Sequence, residues 1–546
     1  MSLIIRKIHR IRTQIPAISY IFDSTKIRSC SSKVNTATSP PKDVQINLIR
    51  RQKLENATET SPTPSRPLGN ALISYGQPLP ETHPHLLQPG QLLPEVSVQE
   101  FQARRKALLR LARNAITGDG KDRNFKEHMI IIPSSGKKYM SDKIPYVFRQ
   151  NSDFLYLSGC LEPDTVLTLE IDSDGNEQCT LFMRPKDKHA ELWDGPRTGI
   201  ELAPDVFGVD QAANVADLKN YLTRYSFAHP SAVVWFDEMG CYLGDIRKTV
   251  DDTLTRSGAL RSPVSLVHQL RVIKSPAEIE LMRKTCQIAS AAINRTIQES
   301  KPGQTEHQLF AKVDFFSRMG GANHLAYPPV VAGGSNATVI HYINNNQVVR
   351  DGDMVLMDAG CEYGGYSSDI TRTWPINGTY TEPQRVLYEV LAQVQQDLME
   401  VLLKTGAETL DQLFDVMCLK IGKYLQEVGL IPKGLQPMDL ARAGYRFCPH
   451  HVSHYLGMDV HDTSLISRSI SMIPGMVFTV EPGIYISQNR QDVPVEFRGL
   501  GLRIEDDVLI KPDRTIEILT KACVKDLRQV ESLIGSEAAL FDGLDR

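Results

Sequence analysis

The spacing of apolar residues after about residue 95 alternates between the period of a helix and the period of a strand. Apolar positions such as Phe101 and Leu108, with basic residues on another face, predict a helix that begins near Val98. Short apolar runs then predict strands at Met129–Ile132, Phe154–Leu157, Val166–Ile171, Thr180–Met183 and Val233–Phe236. The Asp-Gly-Asn sequence at 174–176 predicts a hairpin turn. Together these elements predict a mixed α/β domain over residues 95–265.

A second folded region opens with a helix-start signal. Ser275 is a candidate N-cap, Pro276 suits the first helical position, and Glu278 completes a capping box. Further helices are predicted at Thr305–Arg318, Pro383–Leu403 and Leu410–Val428, with strands near residues 330, 356, 370, 479, 485 and 504. This pattern predicts an α+β domain over residues 270–525, followed by a tail at 526–546.

The first part of the chain has a different composition. Residues 1–33 carry seven basic residues and a single acid, Asp23, with apolar residues interleaved at helical spacing. A basic, acid-poor, amphipathic N-terminus predicts a mitochondrial import sequence, with cleavage shortly after Arg28; a disordered basic tail is the alternative. Residues 34–94 are rich in Pro, Ser and Thr, which predicts a largely disordered linker.

Overall composition excludes several classes of protein. The 546 residues are 41% hydrophobic and 23% charged, as in ordinary globular proteins, and the net charge of −3 argues against a nucleic-acid partner. No apolar run approaches the length of about 18 residues that a membrane span needs. Nine dispersed cysteines, without a Cys-x-x-Cys pair, predict free thiols in a reducing compartment.

Two aspartates in the second region are candidates for chemistry. Asp358 ends the run Val-Leu-Met-Asp, and Asp369 begins Asp-Ile-Thr-Arg-Thr, with Gly364 and Gly365 between them. If the turn centres between Tyr363 and Gly364, the two aspartates are directly opposed across antiparallel strands, where like charges are destabilising. Either a cation lies between them, or both are solvated acids of a surface hairpin.

Histidines are concentrated downstream of these aspartates. Four of the chain's fourteen histidines, His450, His451, His454 and His461, fall within twelve residues, which favours metal or proton chemistry over four structural histidines. Two carboxylates, Glu481 and Glu505, each interrupt an apolar strand-like run. An unpaired carboxylate there would carry a large desolvation cost unless it lies on an edge strand.

These tracts resemble those of the pita-bread metallopeptidases, which comprise methionine aminopeptidase, prolidase, aminopeptidase P and creatinase. The tracts that resemble the aminopeptidase P versions start at Asp369, His454, Val480 and Arg503. The resemblance extends over about residues 76–525 and is closest to the mitochondrial type of X-prolyl aminopeptidase. It implies a creatinase-like α/β domain followed by a pita-bread catalytic domain.

The resemblance also implies a site. The expected ligands of two divalent metal ions are Asp358, Asp369, His454, Glu481 and Glu505, and the oxygen-rich set suits Mn²⁺, with a hydroxide held between the ions. Glu481 would also move a proton from the nucleophile to the leaving amine. His461 would polarise the scissile carbonyl or hold the intermediate, and His341 would contact substrate from the opposite wall. His450 would belong to a substrate subsite, and Arg503 would orient the ligand carboxylates. His451 receives no role.

The activity implied is removal of the N-terminal residue from peptides or proteins with proline in second position. Prolidase, which cuts only X-Pro dipeptides, is one alternative, and a non-catalytic signalling adaptor on the same fold is another. Methionine aminopeptidase lacks the added domain before residue 262 and is disfavoured. Trimming of imported mitochondrial proteins without a need for proline is a possible extension. A homodimer paired through the N-terminal domain, with Trp193 near a neighbour's site, and a location in the mitochondrial matrix, with or without a cytosolic pool, are further expectations.

Overall fold

The computed structural model describes residues 74–117, 127–240, 243–254, 259–404 and 407–536. The predicted import sequence, residues 34–73 of the predicted linker and the last ten residues of the predicted tail lie outside the described residues. The rest of the predicted linker, residues 74–94, is packed rather than free. Leu79 and Leu87 are buried, and the Gln77 side chain donates to the Gly159 carbonyl and accepts from the Leu161 amide. The linker prediction is therefore wrong for this part, because its leucines and Gln77 have partners in the following domain.

The elements are numbered here in chain order. The helices are α1 (Val98–Thr117), α2 (Ser152–Ser158), α3 (Lys188–Asp194), α4 (Ala203–Phe207), α5 (Leu218–Ala228), α6 (Gly244–Leu254), α7 (Val264–Arg271), α8 (Pro276–Gln298), α9 (Glu306–Met319), α10 (Glu382–Leu403), α11 (Leu410–Glu427), α12 (Pro437–Tyr445) and α13 (Leu527–Leu533). The strands are β1 (Gln91–Leu93), β2 (Val96–Ser97), β3 (His128–Pro133), β4 (Tyr139–Ser141), β5 (Ile144–Pro145), β6 (Val166–Ile171), β7 (Glu177–Met183), β8 (Gln211–Asn214), β9 (Val233–Phe236), β10 (Ala259–Arg261), β11 (His324–Leu325), β12 (Val330–Gly333), β13 (Met354–Ala359), β14 (Cys361–Tyr363), β15 (Tyr366–Ser367), β16 (Ile370–Pro375), β17 (Val477–Val480), β18 (Gly483–Tyr485), β19 (Gly501–Arg503), β20 (Asp506–Ile510) and β21 (Ile516–Ile518).

The N-terminal half is built on a mixed six-stranded sheet in the order β10-β9-β3-β6-β7-β8. Successive residues of β3 serve opposite faces of the sheet: Ile130 and Ile132 pack with α1, whereas Met129 and Ile131 pack with α5 and α6. Because both faces are covered by helices, the central strands β3 and β9 are apolar on both faces rather than alternating. The predicted α/β domain is confirmed.

One predicted strand is a helix. Residues 154–157 lie in α2, where six of the seven residues are buried. The Asn151 side chain caps the helix by accepting from the Phe154 amide, and Gly159, at φ 67°, ends it. A short helix that is buried all round presents the same continuous apolar run as a buried strand, so periodicity misassigned it.

The C-terminal half combines small antiparallel sheets with long helices. The predicted capping box is present at the start of α8, where the Ser275 hydroxyl accepts from the Glu278 amide and the Glu278 carboxylate accepts from the Ser275 amide. Its sheets are ordered β12-β13-β16, β17-β20-β21, β18-β19 and β11-β14-β15. A single large core joins these sheets to α8, α10 and α11. The helices and strands predicted for this half are confirmed, apart from shifts of one or two residues at their ends.

The aspartate hairpin has a different register from the predicted one. Gly364 and Gly365 both adopt positive φ, at 57° and 81°, so the turn centres between them, one residue later than predicted. Asp358 therefore pairs with Thr371, and Asp369 lies just before β16. The prediction that the two aspartates are directly opposed is wrong, because moving a turn by one residue moves the paired residue by two.

None of the helices among the described residues combines the length and apolar character needed to cross a membrane.

Candidate metal centre

Three of the predicted ligands come together in the C-terminal half. Asp369, His454 and Glu505 each offer one ligand atom, and these atoms all lie within 4.8 Å of one another. All three residues are buried. His454 Nε2 lies 3.3 Å from Asp369 Oδ2.

The other two predicted ligands border this trio. The Tyr327 hydroxyl lies 2.6 Å from Asp358 Oδ1 and 2.5 Å from Asp369 Oδ1, so one phenol bridges both aspartates. Glu481 Oε1 lies 3.6 Å from His454 Nε2. The structure thus brings all five predicted ligand residues into one cluster of four carboxylates and one imidazole.

Four of the five predicted ligand residues lie at or near the end of a strand, and His454 lies in the loop before β17. Asp358 is the second-last residue of β13 and Asp369 directly precedes β16. Glu481 directly follows β17, and Glu505 lies between β19 and β20. The Glu505 amide donates to the Thr371 carbonyl, which joins two ligand-bearing tracts from distant parts of the sequence.

Burial of like charges dominates the electrostatics of the cluster. Burial raises the pKa of Asp358, raises that of Glu481 to about 7, and together with neighbouring Asp369 raises that of Glu505 well above its usual range. Burial also opposes ionisation of Asp369, but its hydrogen bond with His454 and the charge of that ring lower the pKa of this carboxyl overall. Burial would lower the pKa of His454, yet Asp369 and Glu481 raise it to about 9.

This donor set fits divalent cations. Carboxylate oxygens and one imidazole suit ions such as Mn²⁺ or Zn²⁺, and the cluster offers no thiolate among its five side chains. Positive charge placed among the carboxylates would offset the effects of burial and of mutual repulsion that raise the pKa values of Asp358, Glu481 and Glu505. The residues present therefore fit a metal site.

Arg503 lies behind the carboxylates, as the sequence predicted. Its Nη2 is 2.5 Å from Asp358 Oδ2 and its Nε donates to the Thr371 hydroxyl at 2.9 Å. That hydroxyl donates to Glu505 Oε2 at 2.6 Å. One buried guanidinium therefore supports two carboxylates, the first directly and the second through Thr371.

A second buried arginine, Arg372, braces the backbone of the same region. Its Nη1 donates to the carbonyls of Thr371 and Glu505, and its Nη2 pairs with Asp506 at 2.8 Å. Its remaining donors reach the carbonyls of Cys523 and Val524. Arg372 thus joins the ligand-bearing tracts to the chain that follows β21.

Two histidines outside the predicted ligand set, His450 and His461, lie beside the cluster. His450 Nδ1 donates to the His451 carbonyl and lies 3.9 Å from Glu481, while its Nε2 faces the Tyr485 hydroxyl at 3.0 Å. The His461 ring meets that of His454 edge to face, with centroids 4.5 Å apart. Burial, and then the charge of Arg503, lower the pKa of His450 to about 4.

His341 is exposed and lies close enough to His450 and His461 for its charge to contribute to the lowered pKa of each, after larger effects of burial. His451 is turned away from the cluster. Its ring stacks on Phe414 with centroids 4.9 Å apart, and its Nε2 lies 3.5 Å from Asp411.

Sequence reasoning missed three residues of the site: Tyr327, Thr371 and Tyr485. The Tyr485 hydroxyl accepts from Arg503 and faces His450, so it joins the subsite histidine to the residues behind the ligands. Thr371 was detectable, because it lies two residues after Asp369 and period-two spacing puts both on one face of the strand. Tyr327 lies 31 residues before Asp358, and only the folded chain shows that they meet.

Two sequence families match the chain. Residues 280–512 match the family described as Metallopeptidase family M24, and residues 101–235 match the family described as Aminopeptidase P, N-terminal domain. The order of these matches agrees with the expected fold class, an aminopeptidase P N-terminal domain followed by a pita-bread domain.

Individual relatives match most of the chain. It is 40% identical over 481 residues to Xaa-Pro aminopeptidase 3 of Homo sapiens, covering 86% of this chain and 92% of the human protein. It is 37% identical over 464 residues to the mitochondrial Intermediate cleaving peptidase 55 of Arabidopsis thaliana, covering 84% of this chain and 88% of the plant protein. Zinc-substituted Escherichia coli aminopeptidase P in complex with product superposes with a TM-score of 0.71 at 32% identity, covering 80% of this chain and 98% of the bacterial one.

Removal of the Thr371 hydroxyl tests the support behind the ligands. Thr371→Val keeps the shape of this fully buried side chain but leaves Glu505 and Arg503 without their shared partner. We expect the affinity for Mn²⁺, measured by calorimetric titration of metal-free protein, to fall by about tenfold to a hundredfold. Thr296→Val is the matched control, because the buried Thr296 hydroxyl donates to the Ala292 carbonyl of its own helix. Equal affinities in the two variants would contradict this role.

Proposed function

The chain belongs to metallopeptidase family M24 and carries the aminopeptidase P N-terminal domain, and on this premise we propose that it removes the N-terminal residue from peptides and proteins with proline in second position. The observation that carries the proposal is the buried cluster of Asp369, His454 and Glu505, bordered by Asp358 and Glu481. Relatives named Xaa-Pro aminopeptidase cover most of the chain, which favours this activity over the X-Pro dipeptidase alternative.

We assign the five clustered side chains as ligands of two divalent ions, with Mn²⁺ as the preferred metal because four of the five donors are carboxylates. When bound, such a pair would activate a water molecule and stabilise charge that develops on the attacked carbonyl. Arg503 and Thr371 hold Asp358 and Glu505 in place from behind.

The surrounding side chains bind substrate and move protons. Glu481, beside both His454 and His450, is the carboxylate we assign to carry a proton from the nucleophile to the leaving amine. His461, exposed beside His454, would donate a hydrogen bond to the scissile carbonyl. His341 would hold the substrate from the opposite side, and His450, fixed by the His451 carbonyl, would form part of a subsite.

A substrate panel tests the proposed reaction. We expect Mn²⁺-loaded protein to cleave X-Pro-Y peptides, and Asp369→Asn to lose more activity than the roughly tenfold to hundredfold that loss of a supporting residue costs. Asp439→Asn, which changes an exposed carboxylate, is the control. Cleavage of an X-Pro dipeptide alone would favour prolidase, and no metal-dependent hydrolysis would favour an adaptor. Cleavage of Tyr- or Leu-started peptides without proline would extend the function to trimming, in line with the name of the plant relative.

We propose that the protein acts in mitochondria, and specifically in the matrix. The basic, acid-poor residues 1–33 and the mitochondrial plant relative support this location.

Residues 1–33 fused to a fluorescent protein are expected to direct it to the matrix, where it resists added protease while the outer membranes are opened. Arg6→Glu with Arg10→Glu should leave the fusion in the cytosol. An unaltered fusion that stays cytosolic would contradict the proposal, and fractionation of the full-length protein would measure any cytosolic pool.

We also propose a homodimer formed through the N-terminal half. The hairpin β4–β5, the two residues after it and the end of α3 expose seven large apolar side chains, here called the hairpin patch: Tyr139, Met140, Ile144, Tyr146, Val147, Leu192 and Trp193. An ion pair of 2.9 Å between Lys137 and Asp194 joins the hairpin to α3. Exposed apolar groups this close together are typical of an interface, and a second copy of the chain is the occupant we propose.

Sedimentation measurements test the dimer. Val147 and Trp193 are 76% and 78% exposed, so serine at both positions is expected to shift the protein from dimer to monomer without unfolding it. Phe227→Ser, at a position that is 81% exposed elsewhere in the same half, is the matched control. A parent protein that is monomeric, or a double variant that stays dimeric, would contradict the assignment of the hairpin patch.

A further inference from the structure

The turn that carries His461 is held by contacts from both halves of the chain. This turn, residues 457–462 and here called the His461 turn, is closed by the Gly457 amide on the Asp459 carbonyl and by the Asp462 amide on the Tyr455 carbonyl. The Ser367 amide donates to the Gly457 carbonyl. These backbone contacts fix its base, but no hydrogen bond to the His461 side chain is found among the described residues.

Two carboxylates flank His461 within the turn and are held by buried cations. Asp462 is buried, accepts from Lys274 Nζ at 3.2 Å and pairs with Arg271. Arg271 also reaches Asp459 at 2.7 Å. His461 therefore lies between two side chains that one buried guanidinium ties together.

The N-terminal half supplies a second group of contacts to the same turn. The Ser152 hydroxyl donates to Asp459 Oδ1 at 2.6 Å. Arg149 Nη2 donates to Asp459 Oδ1 at 3.1 Å and to the Met458 carbonyl at 2.9 Å, while its Nε pairs with Glu362 at 2.6 Å. Both Arg149 and Ser152 lie within the segment that matches the aminopeptidase P N-terminal domain.

The ion pairs of Asp459 and Asp462 restrict movement of the His461 turn. Burial opposes ionisation of Asp459, but Arg271 and Arg149 lower its pKa to about 2, so the carboxylate stays charged. If one partner of such a partly buried network is removed, the remaining charge must find water or move. Movement of Asp459 would shift His461, which is only two residues away.

We propose that Arg149 and Ser152 are positioning residues, through which the N-terminal half sets the location of His461 at the metal centre. The inference rests on the proposed role of His461 in binding the scissile carbonyl. A group that stabilises developing charge must be placed accurately, and a displacement of about 1 Å can cost roughly a hundredfold in rate. The N-terminal half thus contributes to the chemistry as well as to the surface around the site.

Ion pairs between the halves could also serve only to hold the two halves together. Kinetic measurements distinguish this structural role from the positioning of His461. Arg149→Met is expected to lower kcat for an X-Pro-Y peptide by about tenfold to a hundredfold, and Ser152→Ala is expected to lower it by about threefold to tenfold. KM and the affinity for Mn²⁺ should change less than about twofold, because His341, His450 and the ligands are untouched. A loss that only follows a fall in melting temperature, or that appears in KM alone, would overturn the proposal.

Arg283→Met is the matched control. Arg283 has the same side-chain exposure as Arg149, 40% against 39%, and likewise pairs with glutamates, Glu517 and Glu280, but it does not touch the His461 turn. We expect this variant to retain kcat. Equal losses in the two arginine variants would overturn the proposal.

A double-mutant cycle tests whether Arg149 acts through Asp459. Arg149→Met combined with Asp459→Asn should lower kcat by less than the product of the two single effects, because both changes break one contact. Strictly multiplicative effects would overturn the proposed route. His461→Ala distinguishes the two levels of inference: if it keeps full kcat, the proposed role of His461 fails; if it loses activity while Arg149→Met does not, only the positioning role fails.

Discussion

Four carboxylates lie close together in the interior of this protein. Burying like charges is electrostatically unfavourable, and the surrounding structure offsets part of that free-energy cost. Burial first, and then repulsion by neighbouring carboxylates, raise the pKa values of Asp358, Glu481 and Glu505. Two devices offset part of this cost within the chain: the phenol of Tyr327 bridges two of the carboxylates, and the guanidinium of Arg503 pairs with one. The remaining negative charge makes the cluster a candidate site for cations.

Contacts to the backbone also hold the cluster together. The predicted ligand residues come from four strand ends and one loop that are far apart in sequence, so the cluster exists only while these segments are held together. Arg372 does this behind Thr371 and Glu505, and Asp506, which is buried, supplies the opposing charge. The site therefore depends on the core of the C-terminal half, because residues that do not approach a substrate still hold the predicted ligand residues in place.

Local signals in the sequence predicted most of the fold, whereas contacts between distant segments could not be read in the same way. The capping box at Ser275 and the strand at Val166–Ile171 depend on a few neighbouring residues, and both are present. The helix at 152–158 was missed because it is buried all round, although Asn151 and Gly159 mark its ends. The five ligand residues could be proposed because each stands in a distinctive tract. Tyr327 and the contacts of Arg149 depend on how two remote segments pack, which neither spacing nor composition reveals.

The hydrogen bonds from Arg372 to the carbonyls of Cys523 and Val524 affect the order in which parts of the protein can fold. Synthesis on the ribosome, and any translocation that begins at the N-terminus, delivers residues 523 and 524 after all five predicted ligand residues. Until they arrive, two donors of a buried guanidinium lack their acceptors, and the backbone that carries Glu505 lacks its final brace. A nascent chain therefore contains all five predicted ligand residues before their backbone is fully held, so the site is completed only after the segment that contains Cys523 and Val524 has been made and folded.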